Sequence, residues 1–498
     1  MIVSRLQTII IQITIFCSAA LLLAGAARAA DTEVLTKSGA LERLFEQTGV
    51  YNEALEGETP DFVIDPAWPQ PLPNGWILGQ IGGLYVDQHD HVWIYNRPRT
   101  LTNEEAGALE PLEGATNDDE QPVNALGFAR PYGALADCCK PAPSVLEFDA
   151  DGKLLRAWGG PADPDFIGVR CKEEDGCLWP NSEHGIYVDQ NDNIWLGGNS
   201  GKVPDKPTAW TTNKEGADGY LLKFDMDGNF KMRVGGPGKD GPNSNDTDSG
   251  FGGTPQLYQP ADMVVDPETN RLYIADGYGN RRIVIVDADT GKYIGHFGAY
   301  GNNPIDDAAA KAAGPWMNDY ANGNSKPAFF RNPVHCVKIA DDGKIYVCDR
   351  GNDRIQVFDK KDPTLGTQCA NPDGTAGKCG FVTEQLISEH TNTSVPGTAV
   401  SMSFSPDEGQ SCLYVGDNSN MTIYILNRDK LEELARFGRS GQMPGEFHWL
   451  HQVSVDGAGN IYTAEVDTGK RIQKFIRYGE EGCSGTGSAT VGGPLAAK

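Results

Sequence analysis

The chain has no long apolar segment after its first 29 residues, and its apolar runs are short. No later segment is therefore apolar enough to span a membrane. Long helices are not favoured either, because 60 glycines and 31 prolines interrupt a chain of 498 residues. That length is too great for one ordinary core unless the core is repeated around an axis. The composition predicts many short strands joined by turns.

Basic residues are few: 42 lysines and arginines stand against 68 aspartates and glutamates, a formal net charge of −26. This excess of acidic residues argues against nucleic acid or an anionic membrane as a partner, because both are negatively charged. The simplest interpretation of the charge is solubility outside the cytoplasm.

The first 29 residues are predicted to be a signal peptide. Arg5 precedes an apolar stretch from Ile9 to Leu23, and Ala27-Arg28-Ala29 fits the small-x-small pattern of a cleavage site. Cleavage would remove two arginines and take the net charge to about −28. The mature chain is then expected to be secreted or periplasmic, with no stable membrane insertion. An uncleaved anchor is the alternative.

Ten cysteines remain after cleavage, an even number for an oxidising compartment. Cys171 and Cys177 are close enough in sequence to close a short loop, and the spacing of Cys369 and Cys379 predicts a bridge between them. The sequence does not determine the pairing of the other six, which are Cys138, Cys139, Cys336, Cys348, Cys412 and Cys483. No CxxC pair exists, which argues against a four-cysteine zinc site.

A unit of three short strands recurs six times along the chain. In residues 332–359, an alternating apolar strand leads through a tight turn at Gly343 to a second strand, and another turn leads to a third. Several copies add a fourth strand that ends in an aromatic residue and glycine. The copies begin at Gly82, His184, Ala261, His335, Val400 and His451. Four strands make one propeller blade, and six blades in a closed ring expose no sheet edge.

The copies resemble NHL repeats, in which an apolar strand ending in Asp is followed by a glycine or asparagine turn, then Tyr-Val-x-Asp and Asn-x-Arg-Ile. The resemblance implies an all-β, six-bladed propeller over residues 76–476, with long insertions at 98–143, 237–257, 301–327 and 360–398. Residues 30–75 are expected to be an N-terminal extension, and 477–498 a flexible C-terminal tail. A strand near residues 62–78 is expected to complete the last blade.

Histidine occupies the first position of copies two, four and six only, at His184, His335 and His451. Equivalent positions in a ring lie at equal radius, so alternate blades place three residues on a triangle. Three imidazoles facing the axis would leave one position open, which is a catalytic zinc arrangement. The alternative is that each histidine merely fills the channel. The other five histidines lack this register and are expected on the surface or in turns; they are His89, His91, His296, His390 and His448.

A second register lies 15 to 18 residues further on, where Arg97 stands in copy one and Arg350 in copy four. The other copies have Asn199, Gly277, Asn418 and Val466 at this position. Opposite blades would thus direct two arginines toward the mouth that holds the histidines, and arginine binds carboxylates bidentately. Tyr278 follows Gly277 and would lie beside them. The alternatives are surface ion pairs for the arginines and a packed rim aromatic for Tyr278.

These motifs are similar to those of peptidyl-α-hydroxyglycine α-amidating lyase, the lyase half of peptidylglycine amidating monooxygenase. The matching segments are Val92 to Arg97, His184 to Asp189, Ala275 to Ile283, Val334-His335, Cys348 to Gln356 and Leu450-His451. The resemblance implies a zinc-dependent lyase that cleaves the N–C bond of a carbinolamide and releases an amide and glyoxylate. It implies zinc on the three histidines, Tyr278 as the base, and Arg97 and Arg350 as carboxylate ligands.

Two departures from the family pattern affect its cofactors and partners. The family has Asp after the last histidine, used in a structural calcium site, and this chain has Gln452. No monooxygenase domain is expected in this chain, so a hydroxylated glycine on a small molecule or a peptide C-terminus would come from elsewhere. Two alternatives are a zinc lyase or hydrolase with another substrate, and a non-catalytic propeller that binds protein or glycan.

Overall fold

The computed structural model describes residues 59–304, 329–362, 365, 379–388, 397–479 and 482–483. These residues form six four-stranded antiparallel sheets and one short parallel pair. The strands in chain order are β1 (Asp61–Asp65), β2 (Trp76–Ile77), β3 (Gln80–Val86), β4 (Val92–Arg97), β5 (Lys140–Pro141), β6 (Val145–Phe148), β7 (Leu154–Trp158), β8 (Glu183–Val188), β9 (Asn193–Gly198), β10 (Tyr220–Asp225), β11 (Phe230–Gly235), β12 (Asp262–Asp266), β13 (Arg271–Asp276), β14 (Arg282–Asp287), β15 (Tyr293–Phe297), β16 (Val334–Ile339), β17 (Lys344–Asp349), β18 (Arg354–Asp359), β19 (Phe381–Leu386), β20 (Ala399–Phe404), β21 (Cys412–Asp417), β22 (Thr422–Asn427), β23 (Glu433–Phe437), β24 (Leu450–Val455), β25 (Ile461–Glu465) and β26 (Ile472–Tyr478).

The helical segments within the described ranges are turns of 3₁₀ helix, each three residues long. They are Pro73–Gly75, Pro98–Thr100, Glu173–Asp175, Phe251–Gly253, Ala299–Gly301 and Arg350–Asn352. Among the described residues, no helix has the length and apolar character needed to cross a membrane.

The six sheets are the blades of a propeller. Five blades have the strand orders β3-β4-β6-β7, β8-β9-β10-β11, β12-β13-β14-β15, β16-β17-β18-β19 and β20-β21-β22-β23. The sixth has the order β24-β25-β26-β1. The innermost strand of each blade contacts those of both neighbours, and β24 contacts β3, which closes the ring. The predicted all-β, six-bladed fold is confirmed.

The two ends of the propeller meet in the sixth blade. Strand β1 pairs antiparallel with β26, with Asp61 opposite Tyr478. Phe62 and Ile64 of β1 are buried, so this strand adds apolar area to the last blade. The closing strand was expected near residues 62–78 and lies at Asp61–Asp65.

Described residues on both sides of residues 76–476 also belong to the propeller. Strand β1 belongs to the stretch expected to be an N-terminal extension. At the other end, β26 continues to Tyr478, and Cys483 is bonded to Cys412 of the fifth blade. The signal segment and the rest of the tail lie outside the described residues.

Strand β19 was not predicted, because it lies within the expected insertion at 360–398. It pairs with β18 and completes the fourth blade. Its residues are mostly half-buried, so the apolar alternation that marks the other strands is weak here. The sequence signal was missing because the contacts are polar: Glu384 accepts hydrogen bonds from Arg354 at 3.1 Å and from Gln356 at 3.0 Å.

The recurring Asp at the end of the inner strands has a structural role in blades one and two. Oδ1 of Asp87 accepts the backbone N–H groups of His89 and His91, which closes the turn, and Oδ2 accepts Nε1–H of Trp93 at 2.8 Å. Asp189 makes the same bond to Nε1–H of Trp195 at 3.0 Å. Both indoles are fully buried, and a buried indole N–H needs such a partner.

Four disulfides join pairs of described cysteines. The predicted Cys171–Cys177 loop is confirmed. The other three bridges are Cys138–Cys139, Cys336–Cys348 and Cys412–Cys483. Cys379 is also disulfide-bonded, but Cys369 lies outside the described residues, so a Cys369–Cys379 bridge stays a prediction.

Candidate functional site

The three histidines of the first register converge on the axis. Each is the second residue of the inner strand of its blade: His184 of β8, His335 of β16 and His451 of β24. Their ring centroids are 4.8 to 5.0 Å apart, an almost equilateral triangle. One nitrogen from each ring lies within 4.8 Å of the others, so the group can hold a metal ion.

A β-bulge directs each histidine inward. In the fourth blade, Val334 pairs with Asp349 and Cys336 with Cys348, which leaves His335 without a residue opposite it. The register also shifts across His184 and across His451. Bulges re-aim side chains and are common next to active sites. The register shifts in the same way at Gly82 and Val400, so five blades share the bulge, and the histidine itself distinguishes blades two, four and six.

Backbone carbonyls from the next blade set the tautomers of two of these rings. Nδ1 of His184 lies 2.8 Å from the oxygen of Ala261, and Nδ1 of His335 lies 2.5 Å from the oxygen of Val400. A carbonyl only accepts, so Nδ1–H donates in both rings and Nε2 presents a lone pair. Nδ1 of His451 has no partner among the described residues.

The three imidazoles are neutral, which is the form that binds metals. Burial lowers the pKa of His184 well below its usual value, and the positive charge of Arg97 acts in the same direction. Burial and Arg350 lower the pKa of His335. Burial, followed by the other two imidazoles, lowers the pKa of His451.

Tyr278 reaches the same point from the third blade. Its phenol oxygen lies 3.1 Å from Nε2 of His184 and 2.9 Å from Nε2 of His335. Gly277 allows this approach, because a Cβ on that residue would lie 1.8 Å from the carbonyl oxygen of Val334. Glycine is thus required where the third blade passes the strand that carries His335.

The two arginines lie beside the phenol, but they differ in their contacts. Arg97 is held by its neighbours: Nε donates to the carbonyl of Glu183, Nη1 to Gln80 at 3.1 Å, and Nη2 to Asn199 at 3.4 Å. Nη1 of Arg350 lies 3.5 Å from the oxygen of Tyr278. Nε of Arg350 is buried without a partner among the described residues, so this guanidinium keeps hydrogen-bonding capacity for a ligand.

The arrangement of lone pairs fits a divalent cation. Nε2 of His184 and Nε2 of His335 both face the oxygen of Tyr278, whose single O–H donates to only one of them. The remaining lone pair needs a positive partner. Three protein ligands and an open position are the pattern of catalytic zinc. The residues present therefore fit zinc.

Calcium fits these residues less well than zinc does. Calcium prefers several oxygen ligands that include carboxylates. Gln452 brings a neutral carboxamide, and its Oε1 accepts a hydrogen bond from Oγ of Ser401 at 3.0 Å.

All six predicted site residues thus lie around one point. A cavity of about 230 Å³ opens onto it and is lined by Gln80, Arg97, Asn199, Tyr278, Arg350, Asn418, Trp449, His451, Val466 and Asp467. A larger cavity of about 470 Å³ lies at the opposite ends of the inner strands and contains none of the six.

Some residues of the cavity were not predicted as site residues. Asn199 and Asn418 share the register of the two arginines, and this register was the available signal. Gln80 and Trp449 each stand two residues before the first position of their copies, so a register argument also applies to them.

The expectation for the remaining histidines is wrong at one position. His296 of β15 is buried, and its Nδ1 lies 2.8 Å from the phenol oxygen of Tyr293. Asp87, His91 and Glu147 form a second group with metal-compatible spacing. In this second group Nδ1 of His91 already contacts Oε1 of Glu147 at 2.8 Å, so the two atoms satisfy each other. His390 lies outside the described residues.

Comparisons with known proteins found one family match and several similar proteins. Residues 334–358 match the NHL repeat family. NHL repeat-containing protein 3 of Mus musculus is 27% identical over 344 residues, which cover 68% of this chain and 73% of that protein. Peptidyl-glycine alpha-amidating monooxygenase B of Xenopus laevis is 32% identical over 103 residues, which cover 21% of this chain and 10% of that protein. A structure titled "Streptogramin B lyase structure" has a TM-score of 0.40 and 11% identity, and covers 86% of this chain and 100% of that chain.

The fold and the site define a six-bladed β-propeller with an NHL repeat and a three-histidine group suited to a metal ion. More particularly, the chain is similar to NHL repeat-containing protein 3 and to peptidyl-glycine alpha-amidating monooxygenase, and the predicted resemblance is confirmed. The match spans only a small part of the length of the amidating monooxygenase.

Proposed function

We propose that the chain is a zinc-dependent lyase that cleaves the N–C bond of an α-hydroxyglycine unit and releases an amide and glyoxylate. The observation that carries the proposal is the position of Tyr278. Its phenol oxygen is within hydrogen-bonding distance of two imidazoles and next to Arg350, in one cavity. The similarity to peptidyl-glycine alpha-amidating monooxygenase supports a lyase-like reaction.

His184, His335 and His451 would hold the metal through one nitrogen each. Bound zinc supplies Lewis acidity toward a substrate hydroxyl group. The carbonyls of Ala261 and Val400 orient two of the rings, and such partners also increase the basicity of the metal-binding nitrogen.

The protein side chains divide the remaining work. Tyr278 acts as the general base that takes the proton of the substrate hydroxyl group. Arg350 binds the substrate carboxylate with its unpartnered Nε–H, and Arg97 adds positive charge beside it. Arg350 is buried and Arg97 is half-buried, and an arginine in a water-poor site stabilises developing negative charge more strongly than one in water.

The bond changes balance without an oxidant or reductant. The hydroxyl proton moves to the phenolate oxygen of Tyr278, the C–O single bond becomes the C=O bond of glyoxylate, and the N–C bond breaks. The electron pair of that bond stays on the amide nitrogen, which then takes the proton from Tyr278. The products are a primary amide and glyoxylate.

The substrate would be a peptide C-terminus or a small acylated hydroxyglycine, and the protein would act in a secreted or periplasmic setting. The disulfides support an oxidising compartment. The acidic chain favours neither nucleic acid nor an anionic membrane as a partner.

Two measurements test the proposal: metal content after purification without chelators, and glyoxylate release from an α-hydroxyglycine peptide. One zinc per chain together with glyoxylate release is the expected result. Full zinc without glyoxylate would reject the amidating reaction and favour a zinc enzyme with another substrate. A chain without bound metal would reject both and leave a propeller that binds protein or glycan.

A further inference from the structure

Asn418 carries an unpartnered carboxamide in the site. It follows β21 in the fifth blade, and its side chain is fully buried. Neither Oδ1 nor Nδ2 has a hydrogen-bond partner among the described residues. A buried polar group without a partner costs stability, so it needs an explanation. Asn199 in the same register has partners, because its Oδ1 accepts from Ser182 at 2.7 Å.

The carboxamide belongs to the cavity of the proposed lyase. Asn418 lines it together with Tyr278, Arg350 and His451. The cavity volume is about 230 Å³. Pockets for drug-sized ligands usually have about 300–1,000 Å³, so this one has room for the end of a substrate and not for several residues. The arginines offer charge, whereas Asn418 offers one neutral donor and one neutral acceptor side by side.

That pair of groups complements one residue of an extended peptide. In a strand, the N–H and C=O of the same residue point in the same direction and are bonded together by one partner. A single carboxamide can make both bonds: Nδ2–H donates to the carbonyl, and Oδ1 accepts the N–H. A benzoyl or fatty acyl group offers the carbonyl but lacks the N–H.

We propose that Asn418 binds the main chain of the residue before the hydroxyglycine, and so selects peptides over simple acyl groups. This proposal rests on the proposed lyase function. The carbonyl that it contacts belongs to the leaving amide. When the N–C bond breaks, negative charge passes from the nitrogen to that oxygen, and the Nδ2–H bond becomes stronger. Asn418 therefore contributes to turnover as well as to binding.

The test compares two substrates in three proteins. The substrates are an acetyl-aminoacyl-α-hydroxyglycine and α-hydroxyhippuric acid, whose benzoyl group lacks the N–H. The proteins are the parent, Asn418→Ala and Asn302→Ala. Asn302 is a matched control, because it is also buried without side-chain partners among the described residues but does not line the cavity.

Asn418→Ala is expected to lower the ratio of kcat/KM for the peptide to kcat/KM for the benzoyl substrate by about tenfold to a hundredfold, since the carbonyl contact is lost for both substrates but the N–H contact is lost for the peptide only. Zinc content and thermal stability should remain, because the side chain makes no bond within the described protein. Asn302→Ala should keep the parent ratio. Asn418→Leu, which has nearly the same shape but neither the donor nor the acceptor, should show the same loss and serves if the alanine variant does not fold.

Each outcome separates this role from the proposed function. An active parent whose ratio does not change in either Asn418 variant overturns the role of Asn418 and leaves the lyase. A parent inactive on both substrates rejects the lyase, and calorimetry with a peptide amide then decides the role of Asn418. If the peptide amide binds the parent and binds Asn418→Ala about tenfold more weakly, the proposed main-chain contact is supported. No binding, or equal binding by both proteins, overturns it.

Discussion

The phenol oxygen of Tyr278 lies 2.9 Å from Nε2 of His335. The two residues come from adjacent blades, so the proposed base and the proposed metal ligand are held by different sheets. Their distance is therefore set by how closely the blades pack and not by one local turn. Changes at the blade interface should affect both metal binding and turnover.

Replacing any one of His184, His335 or His451 by Ala should abolish stable zinc binding. Two imidazoles bind zinc far more weakly than three, because each ligand adds to the binding free energy. The measurement is zinc per chain after gel filtration, with folding checked by circular dichroism. A variant that is folded and keeps one zinc per chain would contradict the three-histidine site.

His296→Ala is the control for this experiment. His296 is also a buried histidine, but it lies in β15 and contacts Tyr293 instead of the cluster. The His296→Ala variant should keep one zinc per chain. Loss of zinc in this variant would mean that general destabilisation explains the other three.

Tyr278→Phe and Arg350→Ala should keep zinc and lose activity. Neither side chain is a proposed ligand, whereas each contacts the proton or the charge that moves. Losing one charge-assisted contact at a developing charge costs about 10²–10³ in rate. Arg350→Lys should recover part of the loss, because it keeps the charge without the planar fork. The measurement is glyoxylate release beside metal content, and unchanged turnover in Tyr278→Phe would rule out the phenol as base.

The histidines were predictable because they share one register of a repeat. Their alternation among six copies indicated a triangle without any knowledge of distances. The bulges at His184, His335 and His451 were not predictable, because pairing across two strands decides them. Strand β19 was missed for a related reason, since its contacts are polar and leave no apolar period. The role of Asn418 also needed the structure, because a sequence does not show which amides lack partners.

Gly277→Ala should destabilise the fold and weaken zinc binding together. The new Cβ would lie 1.8 Å from the carbonyl oxygen of Val334, the residue before His335. Overpacking at such a contact typically costs about 1–3 kcal/mol. Gly409→Ala is the control, because its Cβ would meet Asp407 at an ordinary 3.5 Å. The measurement is the free energy of unfolding in denaturant beside the zinc dissociation constant. Equal free energies of unfolding and equal zinc dissociation constants for the two variants would show that the blades tolerate the extra Cβ at residue 277.

The Cys336–Cys348 bridge should matter for the metal site as well as for stability. It joins directly opposed residues of β16 and β17, with 12 residues of sequence separation. His335 precedes one cysteine, and Arg350 follows the other by two residues, so the bridge holds a proposed ligand and a proposed substrate contact in register.

Replacing both cysteines by Ala should lower the free energy of unfolding by about 3 kcal/mol, the value for a loop of this length. The zinc dissociation constant should also rise, because the bulge that aims His335 would be less constrained. Cys171→Ala/Cys177→Ala is the matched control. It removes a disulfide from the connection between the first two blades, so it should lower stability and leave zinc affinity unchanged. Equal zinc affinities in the two double variants would mean that the strand pairing alone positions His335.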